Sequence, residues 1–177
     1  MKEMNFMETK TTKTLSFTGH RPQSLPFGYN EDDPRCLKLK SILKGEIIKL
    51  IEGKGVTKMI SGMAIGIDMF CAEIVLELKK QYPQISLECA IPCENQASKW
   101  KEPARNRYFD ILEKSDIMTM LQKKYTYNCM QKRNEYMVNK SDFLIAVWNG
   151  TGSGTGNTVK YAKACGKEIL IINPNEL

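Results

Sequence analysis

The sequence predicts an α/β fold: a three-layer sandwich in which helices cover both faces of a mainly parallel central sheet. Two observations carry that prediction. Short apolar runs alternate with longer segments of helical periodicity along the chain. The inner runs, such as Phe143-Leu144-Ile145-Ala146-Val147, are apolar at successive positions, so both faces of such a strand are buried. A length of 177 residues suits one domain of this kind.

The elements follow in order. Met1 to Lys13 is polar, carries both charge signs and reads as a flexible N-terminal tail, leaving residues 14–177 as a single domain. Thr14 to Thr18 is the first strand, and Gly19-His20-Arg21-Pro22 turns the chain. Asp33-Pro34 reads as N-cap and first helical residue. Leu39, Ile42, Leu43, Ile47, Leu50 and Ile51 then form an amphipathic face, which Gly53 and Gly55 end. Thr57 to Ser61 is the second strand. A helix begins near Ile67 and turns Phe70, Ile74, Val75 and Leu78 inward. Ile85 to Ile91 is the third strand. Pro103 opens a helix that buries Tyr108, Ile111 and Leu112. A fourth strand runs from Asp116 to Leu121, a helix from Cys129 to Lys140, and a fifth strand from Asp142 to Trp148. A helix from about Asn157 to Cys165 and a strand from Glu168 to Ile172 complete the chain.

In open parallel sheets ligands bind beyond the carboxyl ends of the strands, and three segments land there. Gly19, His20 and Arg21 follow the first strand: the glycine permits close backbone approach, and the guanidinium fork pairs with phosphate. Ser61, Gly62, Gly66 and Asp68 follow the second, at a helix N-terminus whose amides suit an anion. Asp68 is placed at the sugar end of a ligand, because a carboxylate beside a phosphate repels it; the alternative is a carboxylate that complements the helix dipole. Asn149 to Asn157 alternates Gly with Thr and Ser, and its Gly152, Ser153, Gly154 and Thr155 offer amide and hydroxyl donors to an anion. This loop is not a P-loop, since no Lys follows the final glycine. Two Arg-Asn pairs, Arg105-Asn106 with Arg107 and Arg133-Asn134, lie on helices that follow edge loops; Tyr125, Tyr127 and Trp148 lie near the same edge. One histidine and no G-x-S-x-G elbow leave nucleophilic catalysis little support.

Several of these segments carry a family resemblance. Ser61-Gly-Met-Ala-Ile-Gly-Ile-Asp68 resembles a motif of the DprA/Smf DNA-processing proteins. Thr18-Gly-His-Arg-Pro22, Arg133-Asn134 with Tyr136-Met-Val138, and Ser141-Asp142 through Gly154-Thr155 resemble YpsA-like proteins across nearly the whole chain. Both groups belong to the SLOG superfamily of Rossmann-like ligand-binding proteins. The resemblance implies a Rossmann-like fold and a pocket for a nucleotide or nucleotide-derived small molecule, such as an ADP-ribose-like ligand. It carries Gly19, Arg21, Gly62, Gly66, Asp68, Arg133, Asn134, Gly154 and Thr155 onto the site. The related LOG enzymes use P-G-G-x-G-T-x-x-E; here Thr158 stands where that Glu would be. Losing the carboxylate favours binding (a sensor, carrier or sequestering protein) over hydrolysis or transfer of an N-glycosidic bond of the LOG or deoxyribosyltransferase type. Asp68 or Glu135 are the substitutes such an enzyme would need.

Composition narrows the classes. No apolar run approaches a membrane span and no secretory stretch is visible; with six cysteines and no C-x-x-C pair, a reducing, cytoplasmic location is expected. One histidine and these spacings supply no zinc framework, and no resident cofactor is expected beyond the nucleotide-derived ligand. The net charge of +6 is scattered, with Lys38, Lys40, Lys44 and Lys49 spaced as a solvated helix face. Single-stranded DNA binding, suggested by the DprA-like motif and the charge, lacks a basic-aromatic stripe. A homodimer through an exposed helix face is compatible with the fold.

Overall fold

A computed structural model describes residues 11–177. Most of the expected tail therefore lies outside the described residues. The strands are β1 Lys13–Gly19, β2 Val56–Ser61, β3 Ser86–Ile91, β4 Ile117–Met120, β5 Phe143–Val147 and β6 Glu168–Ile172. The helices are α1 Pro34–Lys54, α2 Ile67–Leu78, α3 Glu102–Lys114, α4 Cys129–Asn139 and α5 Gly154–Ala164. All five strand pairings are parallel, in the order β4-β3-β2-β1-β5-β6. From β1 the chain builds outward to β4, then returns to place β5 on the other side of β1. The switch point where ligands enter such sheets thus lies between β1 and β5.

Side-chain alternation divides the sheet. Leu15, Phe17, Met59, Leu87, Cys89, Phe143 and Ile145 join the main core with α1 and α2. Ile60 and Ala90 face Met137 of α4, and Leu144 packs with Val138 of α4 and Ala162 of α5. Three layers result, and the sheet is wholly rather than mainly parallel.

Two helix boundaries differ from expectation, both through glycine. Gly53 does not end α1; Gly55 does, in the left-handed conformation with φ 70°. Helix α5 begins at Gly154 rather than near Asn157, because Ser153 caps it by accepting the Gly156 amide at 3.1 Å. Weak helix formers are tolerated where a cap supplies the missing acceptor.

The lysine face expected on α1 is partly paired: Lys40 meets Glu31 at 2.6 Å and Lys44 meets Glu77 at 2.8 Å. The sequence reading did not single out Glu88, which sits mid-strand in β3 and is 1% exposed. Its carboxylate accepts from Thr119 Oγ1 at 2.8 Å and Tyr136 Oη at 2.7 Å, and pairs with Lys58 at 2.6 Å. Burial alone would raise its pKa; the bonds from Lys58, Tyr136 and Thr119 outweigh that and hold it below the ordinary value of 4.5. A depressed carboxylate contributes stability above its unfolded pKa and loses it as pH falls through the folded value. Glu88→Gln should therefore cost about 2 kcal/mol near pH 7, less than a fully buried pair because Lys58 is partly exposed. Urea unfolding checks this: the gap to wild type should narrow below about pH 4.5, and a pH-independent gap would mean that the carboxylate's charge contributes nothing.

Candidate functional site

The carboxyl ends of β1 and β5 are tied across the switch point. His20, buried just after β1, has its Nε2 2.8 Å from Asn149 Oδ1 and 3.2 Å from the Asn149 backbone nitrogen. In one tautomer Nε2 donates to the side-chain oxygen; in the other it accepts from the amide. The same Asn149 oxygen accepts from Thr151 Oγ1 at 2.7 Å, and Trp148 Nε1 donates to the Thr151 carbonyl at 2.7 Å. His20 therefore fixes the glycine-rich loop, with Trp148 bracing it.

A cleft of about 340 Å³ opens beside the clamp. Of the expected residues, Gly19, His20, Arg21, Asp68, Arg133, Asn134, Ser153, Gly154 and Thr155 line it. Gln23, Ser24 and Met130 also line it and carried no motif signal. Ser61, Gly62, Gly66 and Gly152 are not in its wall.

The displaced residues build the wall from behind. Ser61 Oγ donates to the Asp68 carbonyl at 2.8 Å and accepts from Met63 N at 3.2 Å, fixing the turn into α2. Gly62, one of the expected ligand-binding residues, has a side chain packed against it. A Cβ there would lie 2.6 Å from Arg133 Cζ, so the glycine exists to seat the guanidinium. Gly66 has φ +102°, and its missing Cβ lets the β1 loop approach, with Pro22 Cδ at 3.0 Å. Gly152 and Gly154, by contrast, face open space.

Arg133 projects from α4 and is 4% exposed. It donates to the Gly62 carbonyl through Nη1 and to Asn134 Oδ1 through Nε at 2.8 Å; Nη2 lies 4.0 Å from Met130 Sδ. All these partners are neutral, and among the described residues no carboxylate reaches ion-pair distance of it. Burial lowers its pKa, the charge of Asp68 opposes that, and the like charge of Arg21 adds to it. Arginine stays protonated regardless, so the cleft wall holds a buried cation without a bonded counter-charge.

Two further features share the cleft. Ser153 occupies the Gly156 and Asn157 amides, and among the described residues no partner accepts from those of Gly154 and Thr155 at the start of α5. Asp68, 7% exposed, accepts from Ala64 N at 3.2 Å. Burial raises its pKa, while Arg133, the Ala64 amide and Arg21 pull the other way. Among the described residues it is the one carboxylate in the cleft wall. Thr158, at the position of the missing glutamate, turns its hydroxyl to the Gly154 carbonyl at 2.9 Å inside α5. Glu135 accepts from Gln131 at 2.9 Å and lines no part of the cleft.

The other Arg-Asn pair does not reach this cleft: Arg105 and Asn106 are exposed on α3. Tyr125 and Tyr127 are exposed as well, Tyr127 at 92%. The six cysteines are free thiols, and among the described residues no group of three or more His, Cys, Asp or Glu side chains converges as for a metal ion. No helix of the described residues is long and apolar enough to cross a membrane.

A doubly wound parallel sheet with a cationic cleft at its switch point defines a Rossmann-like protein. Residues 15–177 match the family described as the YspA SLOG family, and the chain belongs to that YpsA family. A UPF0398 protein of Halalkalibacterium halodurans is 30% identical over 174 residues, covering 93% of this chain and 90% of the relative. The uncharacterized SPbeta prophage-derived protein YoqJ of Bacillus subtilis is 33% identical over 157 residues, 81% of this chain and 92% of its own. Among solved structures, DNA processing protein A from Helicobacter pylori, described for its single-stranded DNA binding mode, superposes with a TM-score of 0.60 at 16% identity. That superposition covers 91% of this chain and 65% of that one, and at this identity it speaks to the fold.

Proposed function

We propose that this protein binds a nucleotide or nucleotide-derived small molecule, its phosphate seated between Arg133, Arg21 and the first amides of α5. One observation carries the reading: a buried guanidinium bonded, among the described residues, only to neutral groups, in the wall of a cleft at the switch point. Burying a charge without a partner is costly, and a phosphate arriving at two arginines and a helix N-terminus supplies the missing partner. Asp68 then faces the sugar hydroxyls. The protein acts as a sensor, carrier or sequestering protein and releases the ligand unchanged.

A panel of nucleoside mono- and diphosphates at about 100 times Kd should stabilise the fold by about 2.7 kcal/mol. For a domain of this size that raises Tm by roughly 5–10 °C. If no member of the panel moves Tm, the phosphate site is misassigned.

Asp68 favours one second reading, N-glycosidic bond cleavage, because it is a carboxylate of raised pKa in the cleft wall. Chromatography after incubation with the same nucleotides decides between the two. Intact nucleotide supports binding, whereas free base that disappears in Asp68→Asn supports the enzyme. Nucleic-acid binding draws on exposed Lys123, Lys124, Tyr125 and Tyr127 in the loop before α4. It requires affinity that falls steeply with salt and grows with strand length.

A further inference from the structure

A second cleft, of about 870 Å³, adjoins the first and shares Arg21 and Gln23 with it. Its wall combines apolar residues, Trp100, Ile65, Pro22 and Pro103, with charged ones, among them Glu31. The Trp100 ring is held edge-to-face by Tyr108, with centroids 5.3 Å apart and planes at 84°. Arg107 also lines this cleft, but its charge is spent within the fold: it pairs with Glu31 and, at 2.6 Å, with Glu73. That leaves Arg21, Lys99 and Lys101 as lining cations with no carboxylate within ion-pair distance among the described residues.

The two clefts are joined from behind as well as through Arg21. Tyr108 Oη donates to Gln96 Oε1 at 3.4 Å, and Gln96 Nε2 donates to the Gly62 carbonyl at 3.2 Å. That carbonyl is the one Arg133 also donates to. One buried chain of contacts therefore orients both Trp100 and the guanidinium of the first cleft.

We propose that the larger cleft is a second subsite, which takes a planar ring against Trp100 while the ligand's phosphates lie at Arg21 between the clefts. The ligand class is then a dinucleotide, two nucleosides joined through a diphosphate, rather than a mononucleotide. This rests on the phosphate-binding reading of the first cleft and adds its second half. Size supports it: ligand sites span roughly 300–1,000 Å³, so the first cleft lies near the lower bound and the second is ample for a nucleoside. Charge supports it too, because cations and an aromatic face together suit a heteroaromatic ring on an anionic linker.

Titration calorimetry of the full chain with AMP, GMP, diadenosine diphosphate and diguanosine diphosphate tests the proposal. At least one dinucleotide should bind about tenfold or more tighter than its mononucleotide. Trp100→Ala should erase that advantage and leave the mononucleotide affinity within about twofold, and Trp100→Phe should retain most of the advantage. Arg133→Met should weaken mononucleotide and dinucleotide alike. Equal affinity for the two in the wild-type protein, or an advantage that survives Trp100→Ala, overturns the second subsite and leaves the phosphate site standing. Binding by none of the four overturns both. Affinity for single-stranded oligothymidylate that exceeds the dinucleotides' and rises with length overturns the dinucleotide assignment in favour of nucleic acid.

Discussion

Replacing Arg133 by methionine is expected to lower nucleoside-phosphate affinity about 100-fold, or about 2.7 kcal/mol, while changing the unfolding free energy by no more than about 1 kcal/mol. The two halves have one cause. Arg133 is buried, yet its bonds go to neutral acceptors, so the folded protein without ligand gains little from the charge. An unbranched apolar side chain of similar reach fills the same space, and such exchanges of buried charge are often neutral. The Gly62 carbonyl keeps the bond from Gln96. The ligand loses a charge-assisted contact at a site shielded from water, where such bonds are strongest. Gly62→Ala offers an independent route to the same loss, since its Cβ overlaps the guanidinium and drives that flexible group from its seat. Calorimetry with a nucleoside phosphate and urea unfolding separate the halves. Unchanged affinity would place the phosphate elsewhere, and a loss of several kcal/mol in stability would make Arg133 a structural pillar.

Gly19→Ala is expected to be the most destabilising single-methyl addition at the site, costing about 3 kcal/mol, the upper part of the overpacking range. In a domain of this size that lowers Tm by roughly 6–12 °C. A Cβ at Gly19 would lie 2.5 Å from Ile67 Cβ and Cγ2. Ile67 is buried at the start of α2, and β-branching leaves its atoms no rotamer that clears the space. Either β1 or α2 must move, and both carry site residues. Gly152→Ala is the control: among the described residues nothing lies within 4 Å of its Cβ position, so stability should change by less than about 0.5 kcal/mol. Thermal melts of the wild type and the two glycine variants decide it, and equal melting temperatures for Gly19→Ala and Gly152→Ala would show that the packing argument is wrong.

The elements were legible because their signals are local. Asp33-Pro34 and Gly55 frame α1, and the apolar run of β5 reads as a strand buried on both faces. The misreadings were local in origin too. Glycines that look like helix breakers, Gly53 and Gly154, are carried within helices because a tertiary fold or a serine cap compensates for their weak propensity. Glu88 was passed over because a carboxylate in a strand gives no sign of its partners, and Lys58, Thr119 and Tyr136 come from three other elements.

At the site, residue type was readable and direction was not. Arg133, Asp68, His20 and the Ser153-Gly154-Thr155 segment were picked out by motif, and they line one cleft. Ser61, Gly62 and Gly66 were picked out by the same signal, but they support that wall from behind. Periodicity, caps and turn chemistry act over a few neighbouring residues, so the sequence by itself determined the order of strands and helices and the edge at which the polar segments emerge. Which glycine admits a side chain and which admits solvent depends on contacts between residues such as Gly62 and Arg133, 71 positions apart. The larger cleft around Trp100 likewise exists only where β1's loop, α3 and the segment before it meet. Those distances were set by how the layers pack, which is why only the tertiary structure decided them.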